Sequence, residues 1–291
     1  MAYTKLTPYY AGTGIGQRSM IMDATDKVFA GSIPEIYDRD LVPLIFEPYA
    51  RDLAERIAGT TPRDVLETAA GTGALTVALA SRLPASVRIV ASDLNQPMLD
   101  YAAAKPSLRG RITWRQADAQ ALPFDDATFD VVACQFGAMF LPDKVKGYSE
   151  ARRVLTPGGR FLFNVWDRIA DNEFADVVTA ALAGVFPQDP PMFMARTPHG
   201  YHDVARIRDE LSAAGFQHAS IETVDHRSKA RSAKDVAIAY CQGTPLRNEI
   251  VTRDASLLEK ATDAATDALT KRFGNGAIDG LIRAHVIAAA A

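Results

Sequence analysis

Leu41, Leu44, Ile45, Tyr49, Leu53 and Ile57 recur at helical spacing, which predicts an amphipathic helix ending before Gly59 and Pro62. From Asp64 onward the pattern changes. Short apolar runs at 65–67, 87–91, 112–115, 129–135 and 160–166 read as strands. Stretches of helical spacing lie between them at 75–83, 97–105 and 143–155, the last closed by Pro157, Gly158 and Gly159. Apolar strands separated by helices imply right-handed crossovers and a parallel α/β sheet covered on both faces. The remainder reads as an irregular Pro-rich stretch (186–198), a helix over 203–214, a strand near 221–225, two more helices and a last strand at 284–288. Residues 1–35, rich in Gly, Thr and Tyr and poor in periodicity, read as an irregular arm.

Composition narrows the class. With 291 residues, 48% of them apolar, the chain can bury a substantial core. Its 32 basic and 35 acidic side chains leave a net charge of −3, so no basic face is offered to a run of phosphates and nucleic acid is disfavoured as a partner. Two cysteines, Cys134 and Cys241, are too few for a disulfide scaffold and suit free thiols in a reducing cytoplasm. Residues 1–10 lack the pattern of a signal peptide, and no run approaches the roughly 18 apolar residues of a membrane span.

The chemistry concentrates in Val65-Leu-Glu-Thr-Ala-Ala-Gly71-Thr-Gly73, which reads as strand, turn and helix start. Glycines let the backbone approach a ligand, and a helix start offers free N–H groups. The next strand ends in Asp93, roughly 20 residues on, where a carboxylate in an open α/β sheet accepts both hydroxyls of a ribose. Together they indicate an adenosine ligand at the carboxyl ends of the strands. A dinucleotide fingerprint has a third glycine where this chain has Thr76. Glu67, just ahead of the turn, would repel a pyrophosphate but suits a ligand bearing ammonium and sulfonium charges. Both details favour S-adenosylmethionine over NAD; an NAD-dependent oxidoreductase and a non-catalytic binding module are the alternatives.

The segment 65–166 resembles the class I S-adenosylmethionine-dependent methyltransferases, and within them the small-molecule group that includes the ubiquinone and menaquinone biosynthesis enzymes. The resemblance rests on the stretch from Val65 to Thr76, on Ala91-Ser-Asp-Leu-Asn-Gln-Pro-Met-Leu, on 117–132, and on Glu150-Ala-Arg-Arg-Val-Leu-Thr-Pro-Gly-Gly-Arg. It implies a Rossmann-like, doubly wound, mostly parallel seven-stranded sheet with an antiparallel last strand and helical lid insertions. It also implies one methyltransferase domain over 1–291, with an arm and lid helix (1–58), a cofactor-binding core (62–167) and acceptor-pocket insertions (168–202 and 232–275). Gly71 and Gly73 would approach the methionine part of S-adenosylmethionine, with Ala69 and Thr72 along the same turn and Glu67 near the ammonium. Asp93 would take the ribose hydroxyls, Leu94 and Met98 would pack on the adenine, and Asp118 and the Ala119 N–H would meet its polar edge. Gln135 would face the transferring methyl, and Tyr37 would fold over the cofactor. The stretch Thr68-Ala69-Ala70 departs from the family, which more often has a polar residue or a glycine there.

Methyl transfer from a sulfonium requires no metal, and S-adenosylhomocysteine is its product. A general base would help a hydroxyl or acidic-carbon acceptor by about 10²–10⁴-fold. His199, His202 and Tyr37 are the candidates, with Tyr201 and His226 behind them. The Asn/Asp-Pro-Pro-aromatic motif of amino-methylating enzymes is absent after the fourth strand, where the chain reads Cys134-Gln-Phe-Gly-Ala. The expected partner is therefore a small, partly apolar methyl acceptor, walled by Phe29, Tyr37, Phe136, Phe140, Trp166, Phe186, Met192, Phe193 and Met194. A homodimeric assembly is allowed.

Overall fold

The computed structural model describes Asp26, Val28, Phe29 and residues 31–291, so most of the arm expected over 1–35 lies outside the described residues. Seven strands form one sheet: β1 (Asp64–Glu67), β2 (Arg88–Asp93), β3 (Ile112–Gln116), β4 (Phe129–Gln135), β5 (Leu155–Trp166), β6 (Ala219–Ala230) and β7 (Ile278–Ala290). Their spatial order is β3-β2-β1-β4-β5-β7-β6. Strands β1 to β5 pair in parallel, and β7 runs antiparallel to both β5 and β6. Chain order reverses at the β1–β4 pair, and at such a switch point the strands' carboxyl ends open a crevice.

Side-chain alternation along the strands separates two cores. Val65, Ile89, Val131 and Leu162 face the helices Glu47–Ala58 and Ala74–Arg82, where Leu53, Ile57, Leu75 and Leu79 meet them. The alternate residues Leu66, Val90, Val132 and Phe163 belong to a larger core that takes in Tyr148, Phe174, Leu211, Val236 and Leu269 from helices Lys144–Val154, Glu173–Val185, Val204–Ala213, Ala233–Gln242 and Leu258–Phe273. Among the described residues no helix is long and apolar enough to cross a membrane.

Several expectations need correction. The helix expected from Leu41 begins at Ile33 and passes through a wide-turned π segment, Tyr37–Phe46, before the regular helix Glu47–Ala58. Pro43 lies inside that segment; its nitrogen has no hydrogen to donate, so a regular α-helical ladder is interrupted there. Three helices, not two, lie between β6 and β7: Ala233–Gln242, Leu246–Asp254 and Leu258–Phe273. The Pro-rich stretch carries a short helix, Phe193–Arg196. Strands β5, β6 and β7 are longer than their apolar runs. β5 starts at Leu155, with a register irregularity opposite Phe129/Val131 before pairing resumes at Arg160. β6 and β7 zip together from Ala219↔Ala289 to Ala230↔Ile278, and much of β6 is polar and exposed, so hydrophobicity does not mark its length. Tyr49, fully buried, donates its hydroxyl to the carbonyls of Val224 and Ile282 and so pins the N-terminal helix to this hairpin.

Candidate functional site

The turn after β1 is set by backbone. Thr68 N–H reaches the Ala133 carbonyl at 2.8 Å and Ala70 N–H the Ser92 carbonyl at 2.9 Å, which ties the turn to both neighbouring strands. Gly71 and Gly73 adopt φ of +56° and +86°, open to glycine without strain. Gly73 then caps the helix Ala74–Arg82. Asp93, 8% exposed at the end of β2, accepts the Gly71 N–H at 2.8 Å on one carboxylate oxygen and the Asn95 N–H at 2.8 Å on the other. Burial pushes its carboxyl up, and the hydrogen bonds from Asn95 and Gly71 oppose that.

A cleft of about 800 Å³, counting its open mouth, lies at these strand ends. Tyr37, Ala69, Gly71, Asp93, Leu94, Met98, Asp118, Ala119 and Gln135, all expected around the cofactor, line it. Leu94 is 47% exposed there, a large apolar side chain left uncovered. Asp118 takes the Gln120 N–H at 2.8 Å, and the Gln135 amide donates to the Phe46 carbonyl at 3.0 Å. Glu67, Thr72 and Gly73 do not line the cleft. Glu67 is 1% exposed and accepts the Thr76 hydroxyl at 2.6 Å. Burial, with Asp93 adding to it, raises its carboxyl to about 8. Thr72 is buried, and its hydroxyl has no hydrogen-bond partner among the described residues.

A second cavity of about 410 Å³ shares Phe29, Tyr37, Phe136 and Phe140 with the cleft. Trp166, Phe193 and Met194 also line it, as expected, whereas Phe186 and Met192 do not. The Phe136 ring stacks on Trp166 at 3.8 Å and 8°, and Tyr37 on Phe46 at 5.1 Å and 26°. No charged side chain lines this chamber among the described residues; its polar side-chain groups are the hydroxyls of Tyr37, Tyr240 and Thr244 and the indole N–H of Trp166. Beside it, fully buried Asp26 meets Arg196 Nη2 at 2.7 Å, and the same nitrogen meets Glu249 at 2.6 Å. Glu249 in turn takes the N–H groups of Met192 and Phe193, which joins the arm, the short helix and the helix Leu246–Asp254.

The structure does not bring the histidines expected as bases to either cavity wall. His199 is buried with Nδ1 2.8 Å from the Asp167 carbonyl oxygen, and burial lowers its pKa to about 4. His202 has Nδ1 2.8 Å from the His199 carbonyl oxygen. Tyr201 hydrogen-bonds Tyr148 and Glu210, and His226 lies edge-on to Tyr49 at 4.7 Å. Tyr37 alone of these candidates reaches the walls, and burial beside Asp93 drives its phenol pKa up. Residues that sequence reasoning missed at the cleft are Asn95, Ala117, Gln120, Gly137, Leu141 and Pro142. Asn164, a lone polar residue in the apolar run Phe161–Trp166, carried a visible signal and supports Phe136 from beneath.

A family model described as "Methyltransferase domain" matches residues 65–159. The ubiquinone/menaquinone biosynthesis C-methyltransferase UbiE of Idiomarina loihiensis is 30% identical over 157 residues, 50% of this chain and 62% of that protein. A demethylmenaquinone methyltransferase of Deinococcus radiodurans is 33% identical over 155 residues, 50% of this chain and 64% of that protein. The chain thus spans less than two thirds of the length of these relatives. The crystal structure of the YcgJ protein from Bacillus subtilis superposes with a TM-score of 0.52 at 19% identity, covering 82% of this chain and 97% of that one, a likeness of fold. Residues 65–159 thus match a methyltransferase domain, and over half its length the chain is similar to ubiquinone/menaquinone C-methyltransferases, with a sheet topology that agrees with the fold of the superposed structure.

Proposed function

We propose that this chain transfers a methyl group from S-adenosylmethionine to a small, apolar, ring-bearing acceptor by direct displacement. One observation carries the reading: a cleft with carboxylates at the strand ends and an uncharged aromatic chamber meet across the shared wall of Phe29, Tyr37, Phe136 and Phe140. In this reading Asp93 accepts the ribose hydroxyls, Leu94 and Met98 cover the adenine, and Asp118 with the Ala119 N–H meets its polar edge. The Ala69–Gly71 backbone and Gln135 face the methionine part. Half-exposed Leu94 supports this assignment, because a flat apolar ligand would cover it. Gly71 supports it too: a Cβ there would stand 3.6 Å from Met98 Cε, filling cleft space on a backbone that disfavours any side chain.

Bound S-adenosylmethionine supplies a methyl carbon on a sulfonium, a leaving group already built. The work left to the chain is alignment, which can lower a barrier by up to about 7–11 kcal/mol. Tyr37 and Phe136, on both cavities, present aromatic faces, which attract cationic groups. The chamber walls are mostly apolar and offer hydroxyls and the Trp166 indole rather than a free imidazole or carboxylate, so the acceptor brings a nucleophile that needs no strong base from these walls. The names of the relatives suggest a quinone precursor, and the aromatic chamber suits that or another planar phenol. The lack of charged walls and the net charge of −3 speak against nucleic acid, and two buried free thiols fit a cytoplasmic setting.

Titration calorimetry with S-adenosylhomocysteine and NADH tests the cofactor. Binding of S-adenosylhomocysteine is expected, and binding of NADH alone would overturn the reading. A mass-spectrometric panel of planar phenols and strongly polar acceptors tests the rest. Methylation of the polar set alone removes the apolar acceptor, and cofactor binding with no transfer to any member of a broad panel makes the chain a non-catalytic binding module.

A further inference from the structure

We infer that Asn164 is a positioning residue whose amide fixes the wall between the cofactor cleft and the acceptor chamber; the inference rests on the methyltransferase reading above. Asn164 lies fully buried on β5 between Phe163 and Val165. Its Nδ2 has no hydrogen-bond partner among the described residues, so the amide is kept at a cost. Its Oδ1 accepts the Phe136 N–H at 3.0 Å, and the Asn164 carbonyl shares the same hydrogen at 3.2 Å.

Phe136 needs that hold. Its φ is +51°, a left-handed conformation unfavourable for a bulky side chain and stable only when its surroundings enforce it. Two contacts hold it here: the amide accepts its N–H and the ring stacks face to face on Trp166, while Gly137 follows with no space for a side chain. A Cβ on Gly137 would stand 2.4 Å from Ala69 Cβ and 2.8 Å from Cys134 Sγ, so this turn is pressed against the turn after β1. Gln135, Phe136 and Gly137 all line the cleft, and Phe136 also lines the chamber. The amide on β5 therefore adds to the ladder bond from its own carbonyl in fixing Phe136, where both cavities meet. A leucine of similar size keeps the packing and removes the side-chain acceptor, whereas aspartate keeps an acceptor oxygen.

The experiment uses the full chain carrying Trp114→Phe, so that Trp166 is its one remaining tryptophan. Near-ultraviolet circular dichroism reads the Phe136–Trp166 stack, and calorimetry reads S-adenosylhomocysteine affinity. Asn164→Leu is expected to melt cooperatively, lose the wild-type near-ultraviolet signature and bind S-adenosylhomocysteine at least about tenfold more weakly. Asn164→Asp is expected to keep the signature and stay within about threefold of wild-type affinity. The inference is overturned if folded Asn164→Leu matches wild type in both readings, or loses affinity with its signature intact. If Asn164→Leu does not fold, Asn164→Asp decides, and loss of both readings there overturns the inference. Failure of the parent chain to bind S-adenosylhomocysteine sinks the methyltransferase reading instead, while the Trp166 signature still reports whether the amide holds Phe136.

Discussion

The cleft and the chamber share four side chains and are built in opposite ways. The cleft is made where parallel strands end, from a short turn whose N–H groups are committed to carbonyls of neighbouring strands and to the Asp93 carboxylate. The chamber is assembled from segments far apart in the chain, from Phe29 to Pro245, and its surface is ring, aliphatic and hydroxyl. Its flank is held by the buried Asp26–Arg196–Glu249 cluster rather than by the sheet. A cleft with carboxylates fixed at strand ends reads a ligand by placed donors and acceptors, while an uncharged chamber reads shape and area. The first is tied to the strand ends, so it tolerates little change; the second can be recut by substitutions in insertions without touching the sheet.

Breaking each side should therefore give different signatures. The largest effect is expected at the chamber's flank: Arg196→Ala leaves Asp26 and Glu249 buried against one another and should cost about 3–5 kcal/mol of folding stability. A urea melt measures it, and equal stability to wild type would mean that the cluster holds nothing. Asp93→Ala attacks the cleft, removing the acceptor for the Gly71 and Asn95 N–H groups along with the ribose contact. S-adenosylhomocysteine affinity should fall by about 3 kcal/mol, on the order of a hundredfold. Unchanged affinity would reduce Asp93 to a brace for its turn. Leu94→Ala sharpens the same side: Leu94 is half exposed, so thermal stability should hold while affinity falls by about 1 kcal/mol, roughly fivefold.

A last effect is a slope of stability with pH. Burial pushes the Glu67 carboxyl up to about 8, from 4.5 for the free group, so between those values the native state holds a proton that the unfolded state has lost. Its contribution is fully present below about pH 4.5 and is lost as pH rises through about 8. Stability of the ligand-free chain relative to Glu67→Gln should therefore decline across that window. Parallel stability profiles of the two would show instead that Glu67 is ionised in the native state.

The alternation of apolar runs with helices, the Gly71/Gly73 turn and the carboxylate at Asp93 were local patterns, and the parallel pairing of β1 to β5 and the Gly71 and Asp93 positions at the cleft follow from them. Local chemistry sufficed because a strand end, a glycine turn and the next strand are close in sequence and their backbone needs are explicit. Only the tertiary structure decided the rest. The lengths of β6 and β7 depend on each being the other's partner, which a half-exposed polar strand does not announce. Whether Glu67 meets the cleft or Thr76, and whether His199 faces a cavity or the Asp167 carbonyl, depends on side-chain direction within a packed core. The chamber is decided latest, because an apolar residue packs equally well against core or ligand, and only the converging segments select which face stays open.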